Sequence, residues 1–513
     1  MRPVFGVHIN FFTVSFFLVW HGAYASCYNR RRRKPFFASE VLYIMKNKIK
    51  RGFLLLVGLM ACAHAVLAAD HLAIVTQKGR AGVIDLQGRV VLPLEYKKIE
   101  VEQGETDAVI LVEKDGKYGM YDRQGKVIIA PTFKKVGPFS DGMLAARDRE
   151  GWTFYDRQGK ALASHYDEVG PFSEGLAAVK TDGKWGYIDK QGAYILKPQY
   201  RKAQPFKEGY AAVKLQDRWM YVKKDGTALL VGKAKTVSDM SQGVGIIDGS
   251  WLMDTTGARY AKLKAYDYVG SFDEGGLARV GVRRRHRSVF DYVSIGWGWG
   301  GHWGVGFPGW GWGPFDFGWG WSDAGYHHHG WGGGISIIPG EVIHPSNLYM
   351  GAINKQGQEV IPANYRALSP FREGRALIVD REGRFGMIDR SGKVVIPASY
   401  DELGPFEKDR APFAYDKHWG FIDETNKIVI ENRFTKVTPF VSDAAAVLEG
   451  GKAALIDRSG ANLVAPQEAY SDVGTYAQDR FPVMDKKSGK WGYMDGKGNL
   501  VIPSMYDEAG IFD

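Results

Sequence analysis

The sequence predicts an all-β protein: a tandem array of about ten short β units, either an open twisted ribbon or solenoid of hairpins or a closed ring. Three observations carry this expectation. A key aromatic recurs as Trp152, Trp185, Trp219 and Trp251, then as Phe385, Trp419 and Trp491, mostly 32 to 34 residues apart. A second aromatic follows at a fixed distance, as from Trp185 to Tyr200 and from Trp491 to Tyr506, and a Phe comes six positions later, as at Phe206 and Phe512. No window shows the i, i+3, i+4, i+7 spacing of an amphipathic helix. A fixed period of this size marks a repeat architecture and outranks any local motif.

The chain opens with a segment, 1–44, that holds an apolar run at Phe11–Trp20 and a basic run at Arg30–Lys34. Its two readings are an extension that is not translated, because a complete signal begins at Met45, and an uncleaved anchor over Val4–Trp20. Residues 45–69 read as a secretory signal peptide. Lys46, Lys48, Lys50 and Arg51 supply the charge, Phe53–Leu67 the apolar core, and Val66-Leu67-Ala68 or Leu67-Ala68-Ala69 a small-residue cleavage site. Leu59-Met60-Ala61-Cys62 offers a second processing route, with lipid on Cys62. Both cysteines, Cys27 and Cys62, precede the cleavage site, so the expected mature protein is exported and needs no disulfide.

Charge follows the same division. The formal net charge is +10, but 1–69 holds ten basic side chains against Glu40 alone, which leaves +1 for the rest of the chain. That balance offers no basic face for nucleic acid, and no nucleic-acid partner is expected.

One unit, Lys184–Lys214, shows the local logic. Trp185–Asp189 is aromatic and β-prone, and Asp189-Lys190-Gln191-Gly192 suits a hairpin turn. Ala193–Leu196 reads as a second strand stopped by Pro198, and Tyr210–Lys214 as a third. Such a unit is too small to bury its own aromatics, so neighbours must stack or pair. Lys184-Trp185-Gly186-Tyr187-Ile188-Asp189, Pro171-Phe172-Ser173-Glu174-Gly175 and Tyr400-Asp401-Glu402 resemble the WG-repeat family of bacterial β repeats. The likeness covers roughly 80–281 and 348–513. It implies an all-β array with no shared enzymatic activity. Tyr118-Gly119, Trp219-Met220, Trp251-Leu252, Met350-Gly351 and Phe385-Gly386 depart from the Trp-Gly pair while keeping an apolar slot, which argues against one identical ligand site per unit.

The first array, 70–281, repeats an Asp at the turn: Asp85, Asp122, Asp156, Asp189 and Asp254. A calcium loop needs several oxygens within one loop, whereas an Asp opening a Gly turn bonds its own backbone. No metal or other cofactor is therefore expected. Tyr166-Asp167-Glu168, Tyr400-Asp401-Glu402 and Tyr506-Asp507-Glu508 raise glycoside hydrolysis, which needs two carboxylates at a set separation. Adjacent strand residues face opposite sides, and the motif recurs with the period, so the expectation is scaffold and not enzyme. A carbohydrate-active envelope enzyme using these carboxylates is the alternative.

Residues 282–347 interrupt the rhythm with Arg283-Arg284-Arg285-His286-Arg287, a Gly/Trp-rich run and His327-His328-His329. Eight of fifteen tryptophans lie there: Trp297, Trp299, Trp303, Trp310, Trp312, Trp319, Trp321 and Trp331. Ile295, Trp297, Trp299, Trp303, Val305 and Phe307 take odd positions with Gly or His302 between them, a strand period with one aromatic face. Low-complexity disorder competes with an aromatic ribbon that touches an envelope protein, a glycan or the membrane surface. Three adjacent histidines alternate direction in a strand and cannot all chelate one metal.

The second array, 348–513, repeats the motif at Phe385, Trp419 and Trp491 and blurs it at Ala453, whose following aromatic, Tyr470, comes two positions late. Phe512 is followed by Asp513, so the last unit lacks a third strand: it is a partial cap, or the first unit's strands complete it. Together these readings predict an exported, non-enzymatic binding or scaffold module of the cell envelope, periplasmic or extracellular.

Overall fold

The computed structural model describes residues 71–102, 108–283 and 348–512. The segments 1–44 and 45–69, Cys62, the aromatic run and His327–His329 lie outside the described residues. Among the described residues every regular element is a strand, and the strands form ten antiparallel sheets. One sheet is seven-stranded and holds two units that share Ile428–Val437, so eleven units follow one another.

A complete unit has four strands in chain order, here Glu168–Ser173, Leu176–Thr181, Lys184–Asp189 and Tyr194–Tyr200. Four, not three, is the usual number, and the phase also differs from the sequence reading. Tyr210–Leu215 does not join the Trp185 strand; it pairs with Arg218–Lys223, the next Trp strand. The unit boundary falls just after Tyr200. There the chain leaves one sheet and starts the next, so each sequence-defined repeat straddles two sheets.

Pro198 does not end its strand, which runs on to Tyr200 through a bulge. Trp185 faces Tyr200 and Tyr187 faces Leu196, so three residues stand opposite Gly186 alone. Pro198 belongs to an edge strand, where its missing N–H costs no ladder bond. Gly186 gives the bulge its room, since a Cβ there would sit 2.6 Å from the Leu196 oxygen and 2.8 Å from the Pro198 nitrogen. The same two extra residues lie opposite Gly82, Gly119, Gly351, Gly386, Gly420 and Gly492. Three of the four units without that Gly have smaller bulges, while at Thr153, between Trp152 facing Tyr166 and Phe154 bonded to Leu162, the wide bulge persists. One extra residue opposes Ala454, one lies beside Met220, and Trp251 and Leu252 pair with Lys262 and Ala261 without a break. The constant step from Trp185 to Tyr200 is therefore the register of a hairpin with a two-residue bulge.

The cores lie between neighbours. Trp185, Tyr187, Leu196 and Tyr200 of one sheet bury against Ala203, Phe206, Ala211 and Val213 of the next. The Tyr187 hydroxyl donates to the Gln204 carbonyl at 2.6 Å, and Tyr221 and Tyr493 repeat the bond to Ser238 and Gly510. Each burial is a satisfied one, as a phenol taken out of water requires. Turn glycines add contact: Gly192 approaches Leu162, Gly226 Leu196, Gly460 Ile430 and Gly498 Val464, each on the preceding unit.

The succession closes. Val75 and Thr76 pair with Ala509 and Glu508, so the last chain segment supplies the outer strand of the first sheet. Asp507 N–H donates to the Thr76 carbonyl and Gly510 N–H to that of Ile74, both at 2.8 Å. Ala73, Val75 and Ile84 share a core with Trp491, Tyr493, Tyr506 and Phe512, and Gly88 approaches Ile502 as other turn glycines approach their neighbours. Of the alternatives set out above, the structure takes the one in which the first strands complete the last unit. Among the described residues no sheet closes as a barrel; the circuit is made by units.

Candidate functional site

Strand order sorts the loops. Each sheet goes up, down, up and down, so the turn between its second and third strands shares one end with the unit-to-unit connection. We call this the crossover end. The turns between first and second and between third and fourth strands lie at the opposite end.

The aromatic run leaves from the crossover end. Leu277–Arg283 pairs with Leu348–Asn354; Val282 and Tyr349 hold the places of Thr181 and Lys184, and Arg283 and Leu348, still paired, those of Asp182-Gly183. Residues 284–347 thus stand inside what is a two-residue turn in a sister unit. Two strands from each side of the excursion make one sheet, and Arg279, Val280 and Gly281 keep full pairing with Ala352, Gly351 and Met350. At its root the Arg283 N–H donates to Asp267 at 2.8 Å, and the Arg381 guanidinium lies 5.0 Å from the Tyr349 ring centre. Trp297, Trp299, Trp303, Trp310, Trp312, Trp319, Trp321 and Trp331 all belong to the excursion, outside the described residues.

The recurring carboxylates are committed to the scaffold. Asp189 accepts from the Gln191 and Ala193 N–H groups, both at 2.9 Å, and Asp85, Asp122, Asp156, Asp254, Asp389, Asp423, Asp457 and Asp495 repeat the turn. Hydroxyls of Thr256, Ser391, Thr425 and Ser459 also donate to their turn Asp and hold those carboxyls below the ordinary range. In the Tyr-Asp-Glu motifs, Asp401 pairs with Arg384 and accepts from the Asp416 N–H at 2.8 Å, while Asp507 pairs with Lys490 and accepts from the Lys78 N–H. Each Asp thereby fastens a crossover-end turn. Glu168 pairs with Lys180 at 2.6 Å. Partial burial, with Asp401 beside it, raises the Glu402 carboxyl. Among the described residues no cluster of His, Cys, Asp and Glu is arranged to hold a metal ion.

Three polar residues break the repeat pattern, and the sequence reading passed over them. Six positions after the slot aromatic the chain places Phe139, Phe172, Phe206, Phe272, Phe371, Phe406, Phe440 and Phe512, but after Tyr96 it places Glu102. Burial, then Glu100, pushes the Glu102 carboxyl up to about 7, against the pull of Arg157. Asp239 takes the place Pro205 holds in the preceding unit, and its carboxyl is likewise raised by burial. Arg279 replaces the second Ala of Ala177-Ala178. It is buried, burial lowers its pKa, and it donates to the Leu368 carbonyl of the next unit at 3.2 Å. Counting the six-position step through every copy would have exposed Glu102.

A family model described as "WG containing repeat" matches residues 82–118, 118–150, 152–185, 185–219, 350–381, 385–417, 419–452 and 491–513, together half of the chain. No curated protein matches the sequence. Solved structures give faint likenesses. A crystal structure of a eukaryotic initiation factor is 8% identical over 86% of this chain and 98% of that one, with a TM-score of 0.34. Dihydro-heme d1 dehydrogenase NirN in complex with DHE is 11% identical over 71% of this chain and 72% of that one, at 0.27. Hsv2 of Kluyveromyces lactis is 11% identical over 43% and 91%, at 0.26. At such scores none of the three informs fold or chemistry.

Proposed function

Since the chain belongs to the WG-containing repeat family, we propose that it is an exported, non-enzymatic binding or scaffold module of the cell envelope. The contact element is the aromatic excursion. One observation carries the reading: a run with eight tryptophans replaces a two-residue turn while the strands on both sides stay in register. An array so arranged can carry a contact element without spending core residues on it. That many aromatics on one ribbon suit a glycan, an envelope protein or the headgroup layer, where Trp is at home. Arg283–Arg287 at the root adds attraction for anionic headgroups. The signal-like segment 45–69 supports export, with a mature N-terminus near Asp70, or lipid on Cys62 in the anchored version.

Deletion of 288–340 tests the reading. The array should keep its circular dichroism and melting, and envelope association should weaken. Unfolding on deletion would make the excursion part of the core and overturn the proposal. The alternative, a carbohydrate-active enzyme, draws on one observation, the raised Glu402 carboxyl beside Asp401. Hydrolysis of an envelope glycan by the purified protein, lost in Asp401→Asn or Glu402→Gln, would establish it. The engagement of Asp401 by Arg384 and the Asp416 N–H favours the scaffold role.

A further inference from the structure

The near-neutral charge of the folded array conceals a separation between its two ends. Between Tyr166 and Asp267 the crossover end consists of turns 180–184, 214–218 and 247–250 and connections 166–168, 200–202, 232–236 and 262–267. These carry ten Lys and Arg against six Asp and Glu. The opposite end of the same three units has turns 173–176, 189–193, 206–210, 223–228, 239–244 and 253–259, with five Lys and Arg against six Asp and Glu. Connections explain most of the contrast. Where other units place Asp167-Glu168 or Asp401-Glu402 after the slot aromatic, these two place Arg201-Lys202 and Lys233-Ala234-Lys235. Lys184, Arg201, Lys202, Arg218, Lys233 and Lys235 are all exposed. Arg201 is held by Asp217 at 3.0 Å, Lys180 by Glu168 at 2.6 Å and Lys264 by Glu359 at 3.7 Å, which engages three charges of the group. After Asp248-Gly249, the next such turn between second and third strands is the root of the excursion, at Arg283.

We infer that the crossover end of the units around Trp185, Trp219 and Trp251 is a docking face for an anionic bilayer surface. This rests on the proposed membrane-side role of the excursion and adds a part of the array that needs no tryptophan. The chemistry fits a surface and not a single ligand. Long lysine side chains on successive turns act as point charges against a diffuse layer of negative headgroups, whereas a discrete phosphate site calls for converging donors or a guanidinium fork. Their positions on turns and connections leave ladder bonds untouched, so charge can accumulate there without loss of fold. The excursion enters from the same end, so aromatic and electrostatic contacts can engage one surface together.

The test is co-sedimentation of the full chain with vesicles of phosphatidylcholine alone or with about a third phosphatidylglycerol, at low and at high salt. Binding should need the anionic lipid and fall away as salt screens it. Reversal at Lys202, Lys233 and Lys235 to Glu should cut partitioning about 100-fold or more, at roughly fivefold per unit charge near the surface. Reversal at Lys126, Lys160 and Lys497, exposed on the opposite end, should leave it nearly unchanged. Equal loss from both sets, or equal binding to neutral vesicles, would overturn the inference. So would displacement by a soluble polyanion, glycan or nucleic acid, at lower charge concentration than the vesicles supply, since that polymer and not a bilayer would then be the partner. The 288–340 deletion separates the two readings. A deleted chain that keeps salt-sensitive binding upholds the docking face even if the excursion proves idle; one that loses all anionic selectivity refutes the face and leaves the excursion reading standing.

Discussion

Glu102 falls, by count from Tyr96, where sister units have a Phe, but in the ladder Val101 faces Ile110 as Phe172 faces Ala177, and Glu102 faces Val109 as Ser173 faces Leu176. Burial, assisted by Glu100, lifts its carboxyl to about 7, while in the unfolded chain it titrates near the ordinary Glu value. The folded state therefore binds the proton more tightly. Stability from this group is fully present below the unfolded pKa and is lost as pH rises toward about 7. The loss amounts to about 1–2 kcal/mol once partial exposure is allowed for. Thermal melting should fall between pH 5 and 8, and Glu102→Gln should flatten that slope. An unchanged slope in Glu102→Gln would assign the pH dependence elsewhere. This departure was legible beforehand, since the six-position step from Tyr96 lands on an acid.

At the scale of the hairpin, Gly186 and the bulge opposite it form one device. Gly186→Ala should cost about 1–3 kcal/mol, because a Cβ at 2.6 Å from the Leu196 oxygen forces the bulge to move. The unit at Ala454 shows the remedy: one residue fewer in the facing strand. Deleting Gln199 in the Gly186→Ala background should therefore recover part of the loss, readable in urea midpoints; a further drop would refute the coupling. The sequence displayed this register openly, since the constant separation of Trp185 from Tyr200 is the one a bulged hairpin needs. Two other features were misread for physical reasons. Pro198 marks an end only where a strand has a partner on both sides, and here it lies on an edge. The Trp is the most visible landmark of the period, yet the sheet starts at the connection after Tyr200, where the side chains vary most. The candidate tryptophans could be singled out by their departure from the period. Their placement could not be derived, because the run, although its aromatics alternate, shares no step of the repeat that would fix it against the array.

For the molecule as a whole, the seam between first and last units is the place to look for cooperativity. Removing residues 508–513 deletes the strand that pairs with Val75 and Thr76, and with it Phe512, buried against Tyr493. The loss of that ring alone is worth about 3–5 kcal/mol. The shortened chain should melt earlier, and amides of Leu72–Gln77 should lose exchange protection before those near Trp419. Unchanged melting would show that the seam carries no stability. The closure also constrains how such a molecule can change. An open array can gain or shed a unit at either tip, but a circuit of eleven has no tip, and a twelfth unit would have to be accommodated by every joint at once. Length can still be added where a hairpin merely turns around. The whole stretch between Arg283 and Leu348 stands at such a turn, and the count of units is untouched by it.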